Sequence, residues 1–252
     1  MSLHRFFVPP QDCQGARIEL ADAEAHHALR VLRVRQGDEV TALDGAGGVL
    51  RCKVASVGRK DCVLEVVERT AVPAPPCRVT LFQAIPKGKT LDGIIQKATE
   101  LGVSRIVPLF TSRVVARPGE REFGKKAEKW QTIAIEAVKQ CGQPWMPLVE
   151  APVDLPGALR SRQPQEMEFV GALSAAARHP REWFDDFART HNRAPVSAAV
   201  WIGPEGDFAP EELEAVVQAG VRPISLGPLV LRCETAAIYS LSLVQYETSG
   251  AR

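Results

Sequence analysis

The sequence predicts an α/β protein in which a small β-barrel precedes a larger domain built on a parallel sheet. Three observations predict it. The stretch "AVPAPP" at residues 71–76 sets three prolines in a row of six, removing backbone donors and forcing an extended path. Before it, short β-prone runs are separated by glycine turns; after it, strand-length apolar runs alternate with helix-length amphipathic segments. The boundary is therefore placed at the prolines, giving domains of residues 1–72 and 73–252.

In the first domain, "DEVTALDGAGGVLRCKVASVGRKDCVLEVVE" reads as a meander turning at Asp44-Gly45, Gly47-Gly48 and Gly58-Arg59-Lys60-Asp61. One helix interrupts it, "DAEAHHALRVLRVRQG", with Asp22 as N-cap, Glu24 in its first turn and Gly37 as its stop. On it His26, Arg30 and Arg33 fall at i, i+4 and i+7, with Leu29 and Leu32 turned toward the barrel.

The second domain opens with strand "RVTLFQA", helix "TLDGIIQKATELG", strand "RIVPLF" and the long helix "EFGKKAEKWQTIAIEAVKQCG". In the last, Phe123, Ala127, Trp130, Ala134, Ala137 and Cys141 form an apolar stripe, with Lys125, Lys129 and Lys139 on the opposite, solvated face. Strands follow at "EFVGAL", "SAAVWI" and "RPISL", and helices begin at Pro210 and near Glu234. The last helix carries Ala236, Ala237, Ile238, Leu241 and Val244, apolar over more than one stripe, which implies burial against both its own core and a partner subunit.

Composition narrows the function. At 45% hydrophobic and 24% charged residues the chain is an ordinary globular one, and no apolar run reaches the roughly 18 residues of a bilayer span, so a cytoplasmic protein without a membrane partner is expected. Six scattered cysteines without a C-x-x-C pair read as free thiols, and the adjacent His26-His27 pair has no third ligand nearby; no metal site is expected. A net charge of +1 conceals an imbalance: residues 78–150 hold 12 Lys/Arg against 7 Asp/Glu, and 151–252 hold 9 against 13, which permits a polyanionic partner. Two nucleotide motifs fail. "PKGKT" lacks the first P-loop glycine, Gln83 standing there, and "DGAGG" is a hairpin turn between strands.

What remains is a pair of loops that each leave a late strand and enter a helix, where ligands sit in open α/β sheets. In "WIGPEGDFAPEELEAV", Gly203 and Gly206 permit close backbone approach, and Glu205 and Asp207 would repel phosphate, so a ligand here is neutral or cationic where touched. In "LGPLVLRCETAAIYSL", Leu226 to Leu231 wall an apolar slot suited to a flat ring.

At these residues the sequence resembles the RsmE-type methyltransferases of the SPOUT superfamily, which methylate N3 of a uridine in small-subunit (16S) ribosomal RNA. "IGPEGDF" and "LGPLVLRCETAA" resemble the family's two cofactor stretches, "IQKATELGVSRIVPLF" its first helix and strand, and "HHALRVLRVRQGD" its N-terminal domain. The resemblance implies a PUA-like RNA-binding barrel, a knotted α/β catalytic domain with a C-terminal trefoil knot, S-adenosylmethionine (SAM) as cofactor, a homodimer, and 16S rRNA or the small ribosomal subunit as partner. By position it implies cofactor contacts at Leu173, Ile202, Gly203, Glu205, Gly206, Leu226, Gly227, Leu231 and Thr235, with Arg232 and Glu234 beside them. Asp207 stands where the family favours Gly, Cys233 where it favours Thr, and Gln143 where Arg is common.

Chemistry assigns roles within that resemblance. Uridine N3 must lose a proton to become nucleophilic, so Glu234 is the expected base or water-orienter, and Arg232 the stabiliser of charge on the uracil oxygens. N3 lies on the pairing edge, so the uridine must be turned out of its stack. RNA contacts are expected at His26, Arg30 and Arg33, extended by Lys87, Lys89, Arg113 and Arg117. The competing readings are methylation of a ribose 2′-hydroxyl or another RNA, and an inactive RNA-binding or assembly protein.

Overall fold

The structure, a computed structural model, describes residues 4–113, 120–174 and 176–249. It comprises two compact units, Met1–Ala74 with Ile135–Met146, and Pro75–Ala134 with Pro147–Arg252.

In the first unit, β1 (His4–Phe7) is followed by a 3-10 turn (Pro10–Asp12), β2 (Arg17–Glu19), α1 (Asp22–His26), β3 (Glu39–Leu43), β4 (Gly48–Val57) and β5 (Cys62–Ala71). The strands order as β1-β3-β4-β5-β2, with β1 parallel to β3 and the other pairs antiparallel. The expected turns form: the Asp44 carboxylate accepts from the N–H groups of Ala46 and Gly48 at 2.7 Å each, while Gly45 and Gly47 take positive φ. Alternation places Leu50, Cys52 and Val54 inward on β4, against Phe6, Ile18 and Leu64.

The helix departs from its predicted form. Ala21, not Asp22, holds the N-cap, and α1 passes at His27 into a π-helical turn that ends at Leu32, not at Gly37. Arg33 then adopts the left-handed conformation (φ 54°), and Gly37 (φ 92°) serves a later turn, its N–H donating to Val54 O at 2.8 Å. The wider turn keeps Ala25 and Ala28 buried while Leu29 and Leu32 pack against the same core.

The second unit begins with β6 (Arg78–Ala84), α2 (Thr90–Glu100), β7 (Arg105–Phe110) and α3 (Glu120–Cys141). It continues through β8 (Leu148–Val149), β9 (Val153–Asp154), α4 (Leu155–Ser161), β10 (Met167–Gly171), α5 (Pro180–His191), β11 (Ser197–Ile202), α6 (Pro210–Gln218), β12 (Arg222–Ile224) and α7 (Cys233–Thr248). Its strands form a parallel sheet in the order β12-β10-β11-β6-β7-β8, with β9 also on β7. The central strands β6 and β11 are buried at every position but their first, as parallel strands covered on both faces must be, and β6 takes Thr80 and Gln83 into the interior with its apolar residues. Phe82 and Trp201 stack at 3.8 Å, and the Trp201 indole N–H donates to Glu168, which is ion-paired with buried Arg162 at 3.0 Å.

On α3, Trp130, Ala134 and Ala137 are buried and Lys125 and Lys129 exposed, as the stripe requires; Phe123 lies outside the described side chains. Two residues of that pattern behave otherwise. Cys141 is exposed, and Lys139 is buried, its ammonium 2.7 Å from Glu24 and from Glu136. The last turns of α3 belong to the first unit, where Ala137, Val138 and Lys139 are buried in succession while Glu136, Gln140 and Cys141 are exposed, so the buried face is rotated from the stripe read along the rest of the helix.

Candidate active site

Because β12, β10 and β11 are neighbours and parallel, the loops leaving their C-terminal ends converge. Residues 171–174, 202–207, 225–227 and 229–231, with Cys233 and Ala236 of α7, line a cleft of about 520 Å³, within the range of small-molecule sites. Eight of the residues expected around a cofactor line it together: Leu173, Ile202, Gly203, Glu205, Gly206, Leu226, Gly227 and Leu231. Ala172, Ser174, Pro204, Asp207 and Ser225 join them without having been singled out as cofactor contacts. Leu173, Leu229 and Val230 stand at 67, 72 and 79% exposure, an apolar set of a kind that a folded chain leaves open at a binding site. The lining contains two carboxylates and no lysine or arginine.

The 203–208 turn shows why its sequence is glycine-rich and where it is not. A side chain at Gly203 would bring a Cβ within 2.8 Å of Phe208 N. Asp207 N–H donates to Pro204 O at 2.9 Å and closes the turn, and Asp207 itself takes a left-handed backbone (φ 62°). Aspartate tolerates that region through local hydrogen bonding, here Phe208 N–H to its Oδ1 at 2.8 Å, so it fills the position where the family favours glycine. Both acidic side chains of the loop are thus engaged. Glu205 Oε1 accepts from Lys87 N–H at 2.8 Å, in the loop after β6.

The loop after β7 supplies a second clamp. The Arg113 guanidinium donates to the carbonyls of Gly206 and Asp207, and Ser112 N–H donates to Glu212 at 2.6 Å. The other Glu212 oxygen accepts from Ala209 N–H at 2.9 Å, fixing the start of α6. Arg113, expected at RNA, is placed against the backbone of the cleft loop.

At the other wall, Arg232 is the exposed N-cap residue of α7 and Thr235 is exposed one turn on; neither lines the cleft. Cys233 does, and its thiol donates to Glu234 Oε2 at 3.4 Å. Burial, then the adjacent Glu234 carboxylate, push this thiol up to about 12, so it remains protonated and a donor. Glu234 faces a smaller hollow between α2 and α7 that Lys89 also lines. His26, Arg30 and Arg33 are exposed on the first unit, but the π turn and the left-handed Arg33 replace the single α-helical face inferred for them. Lys87 is exposed beside the cleft loop, and Arg117 lies outside the described residues. Among the described residues no cluster of three His, Cys, Asp or Glu is placed to hold a metal, and no helix is long and apolar enough to cross a membrane.

Comparison with known proteins follows this geometry. The RNA methyltransferase domain profile matches residues 73–245, and the RNA methyltransferase PUA domain profile matches residues 20–67. The ribosomal RNA small subunit methyltransferase E of Synechocystis is 32% identical over 96% of this chain and 77% of its own. A structure from Legionella pneumophila solved with the cofactor SAM superposes with TM-score 0.87 at 31% identity, covering 98% of each chain. The ribosomal RNA small subunit methyltransferase E of Neisseria gonorrhoeae, solved with S-adenosyl methionine, gives 0.83 at 25% identity over 97% of each chain. Matched over most of its length by that profile and almost end to end by these relatives, the chain belongs to the RNA methyltransferase domain family that includes the ribosomal RNA small subunit methyltransferases E.

Proposed function

We propose that the chain transfers a methyl group from SAM to N3 of a uridine in 16S rRNA. The observation that carries this reading is the cleft at the three strand ends: apolar walls, carboxylates and no cation, in a chain similar along its length to proteins solved with SAM. The residues present fit that cofactor. Ile202, Leu226 and Leu231 suit a flat adenine, glycine backbone is free to approach its edge, and the acidic lining suits a sulfonium rather than a phosphate. Cofactor contacts are assigned to the eight lining residues and not to Thr235.

When bound, SAM supplies a methyl carbon that is already electrophilic. The protein's task is to align the uracil and remove its N3 proton. Glu234, in the first turn of α7, accepts that proton directly or through an oriented water; Arg232, two residues earlier at the N-cap, offers positive charge to the uracil oxygens as negative charge develops there. Charge balances, since the proton leaves to the carboxylate as the sulfonium loses its methyl.

Residues 1–72, the greater part of the first unit, are read as a PUA-like RNA-binding barrel, with Arg30 and Arg33 on phosphates, and residues 73–252 as a SPOUT-type domain with a C-terminal trefoil knot, its stretch 135–146 packing with the first unit. The family supports both. A homodimer is supported by the exposed Tyr239 and Tyr246 on α7, and the exposed Val230 just before it. The work is placed in the cytoplasm, where small subunits are assembled.

The test incubates the purified chain with radiolabelled SAM and either naked 16S rRNA or isolated small subunits, then locates the methyl by mass spectrometry. A single N3-methyluridine is expected. Methyl on a ribose oxygen transfers the assignment to the 2′-hydroxyl reaction, and no incorporation with either substrate rejects the enzyme reading.

A further inference from the structure

We infer that the hollow between α2 and α7 receives the target base and selects uracil over cytosine; this rests on the methyltransferase reading and names its substrate subsite. The hollow measures about 210 Å³ and is lined by Lys89, Thr90, Gly93, Ile94, Lys97, Glu234 and Ile238. That is room for a single base. Two hydrogen bonds link its walls to those of the cofactor cleft. Cys233 lines the cleft and donates to Glu234 of the hollow, and Glu205 of the cleft holds Lys87, two residues before Lys89.

Gly93 points to a ligand. It sits inside an α-helix, where glycine is a poor choice, and its φ is not positive. A Cβ there would meet nothing within 4 Å beyond its own helix, so no close packing within the chain requires the glycine. What its missing side chain preserves is the hollow.

The polar groups match one pyrimidine edge. Uracil presents acceptor, donor, acceptor along O4, N3–H and O2, and cytosine presents donor, acceptor, acceptor. The hollow offers two ammonium donors, Lys89 and Lys97, and one carboxylate acceptor, Glu234, between apolar Ile94 and Ile238. Among the described residues these three charges form no ion pair within 4 Å, so they remain available to a ligand. Thr90 spends its hydroxyl on Lys87 O at 3.2 Å and serves the wall. A base held here by N3–H to Glu234 presents for methylation the atom that Glu234 deprotonates.

Gly93→Leu fills the hollow while leaving the cofactor cleft untouched. At saturating SAM its methyl transfer to small subunits should fall at least a hundredfold. SAM affinity by calorimetry should change less than twofold, and the melting temperature should not drop, leucine being the better helix former. Separately, a 16S rRNA transcript containing 4-thiouridine, irradiated with the wild-type protein without cofactor, should label residues 89–97 or 233–238. Wild-type turnover by Gly93→Leu, or labelling confined to other segments, overturns the inference. So does a variant that sediments as a smaller species than wild type, which gives the hollow to a second copy of the chain. If wild type itself transfers no methyl, the enzymatic reading fails, and the crosslink still decides whether the hollow takes the base.

Discussion

At the scale of single residues, the cysteines show how burial alone sets chemistry. Cys233, Cys52 and Cys77 are all raised, chiefly by burial, to about 12, 11 and 11. The sign follows from linkage: the folded state holds these protons more tightly than the unfolded chain, whose thiols titrate near 9. Their contribution to stability is complete below pH 9 and disappears as pH rises through 11 to 12. The urea midpoint should therefore fall on going from pH 8.5 to 11, and fall less in Cys233→Thr, which keeps a hydroxyl donor without a titrating thiol. A midpoint equally steep in the variant would remove Cys233 from the effect. At pH 8, Ellman's reagent should find one fast thiol, the exposed Cys141, and the other five only after unfolding.

At the scale of elements, the cleft loop owes its shape to neighbours more than to itself. Arg113 holds the carbonyls of Gly206 and Asp207 from the loop after β7, so its loss should loosen the loop without changing the charges of the first unit to which RNA contacts are proposed. Arg113→Ala is expected to raise the SAM dissociation constant roughly three- to tenfold, the loss of about one charge-assisted hydrogen bond, with RNA affinity changed less than twofold. Calorimetry and filter binding read the two; an unchanged SAM affinity with weakened RNA binding restores the surface role. At the end of α3, Lys139 is held between Glu24 and Glu136, and a second Glu24 oxygen is buried without a protein partner. Lys139→Met leaves Glu24 uncompensated and should cost about 3 kcal/mol in chemical denaturation; adding Glu24→Gln should recover part of it. The same element marks the limit of what periodicity conveys. A stripe identifies α3 and its buried Trp130, but says nothing of what later surrounds its final turns, and so it turns Lys139 outward. Strands β6 and β11 were legible to the residue because strands buried on both faces read as short, dense runs of apolar and β-branched residues, here Val79 to Phe82 and Ala198 to Ile202. Helix α4 packs Pro156 and Gly157 into seven residues and is started by Asp154 accepting from Gly157 N–H at 2.7 Å, a tertiary choice without a periodic signal. Helix α5 is absent from the sequence reading: Pro180 at its first position and Phe184 and Phe187 on one face are its only signal, and the charged residues around them mask it.

At the scale of the molecule, neither unit carries a large net charge, so the two differ in where single charged side chains stand. The cleft is acidic and apolar, whereas the exposed Arg30 and Arg33 at the π turn lie in the first unit, far ahead of the first cleft residue in the chain. The positions of the cleft residues followed from matching loops. The contacts that hold those loops, from Lys87, Ser112 and Arg113, join residues about 100 positions apart and leave no local mark in the sequence. On the proposed reading RNA affinity rests on Arg30 and Arg33 of the first unit, neither of which lines the cleft. Each phosphate contact releases counterions, so a contact is recognised by salt dependence rather than by affinity alone. Arg30→Glu combined with Arg33→Glu should weaken binding to 16S rRNA at least tenfold at 100 mM salt and reduce the slope of log K against log salt by roughly two contacts' worth, about 1.5. SAM affinity should stay within twofold, because no cleft residue belongs to the first unit. Should the slope be unchanged while affinity drops, the arginines act by holding the π turn's shape, and the phosphate track must be sought elsewhere on the first unit; the left-handed Arg33 makes that distinction measurable, since Arg33→Gly keeps its backbone, removes its charge, and on the phosphate reading alone should lower the slope by one contact.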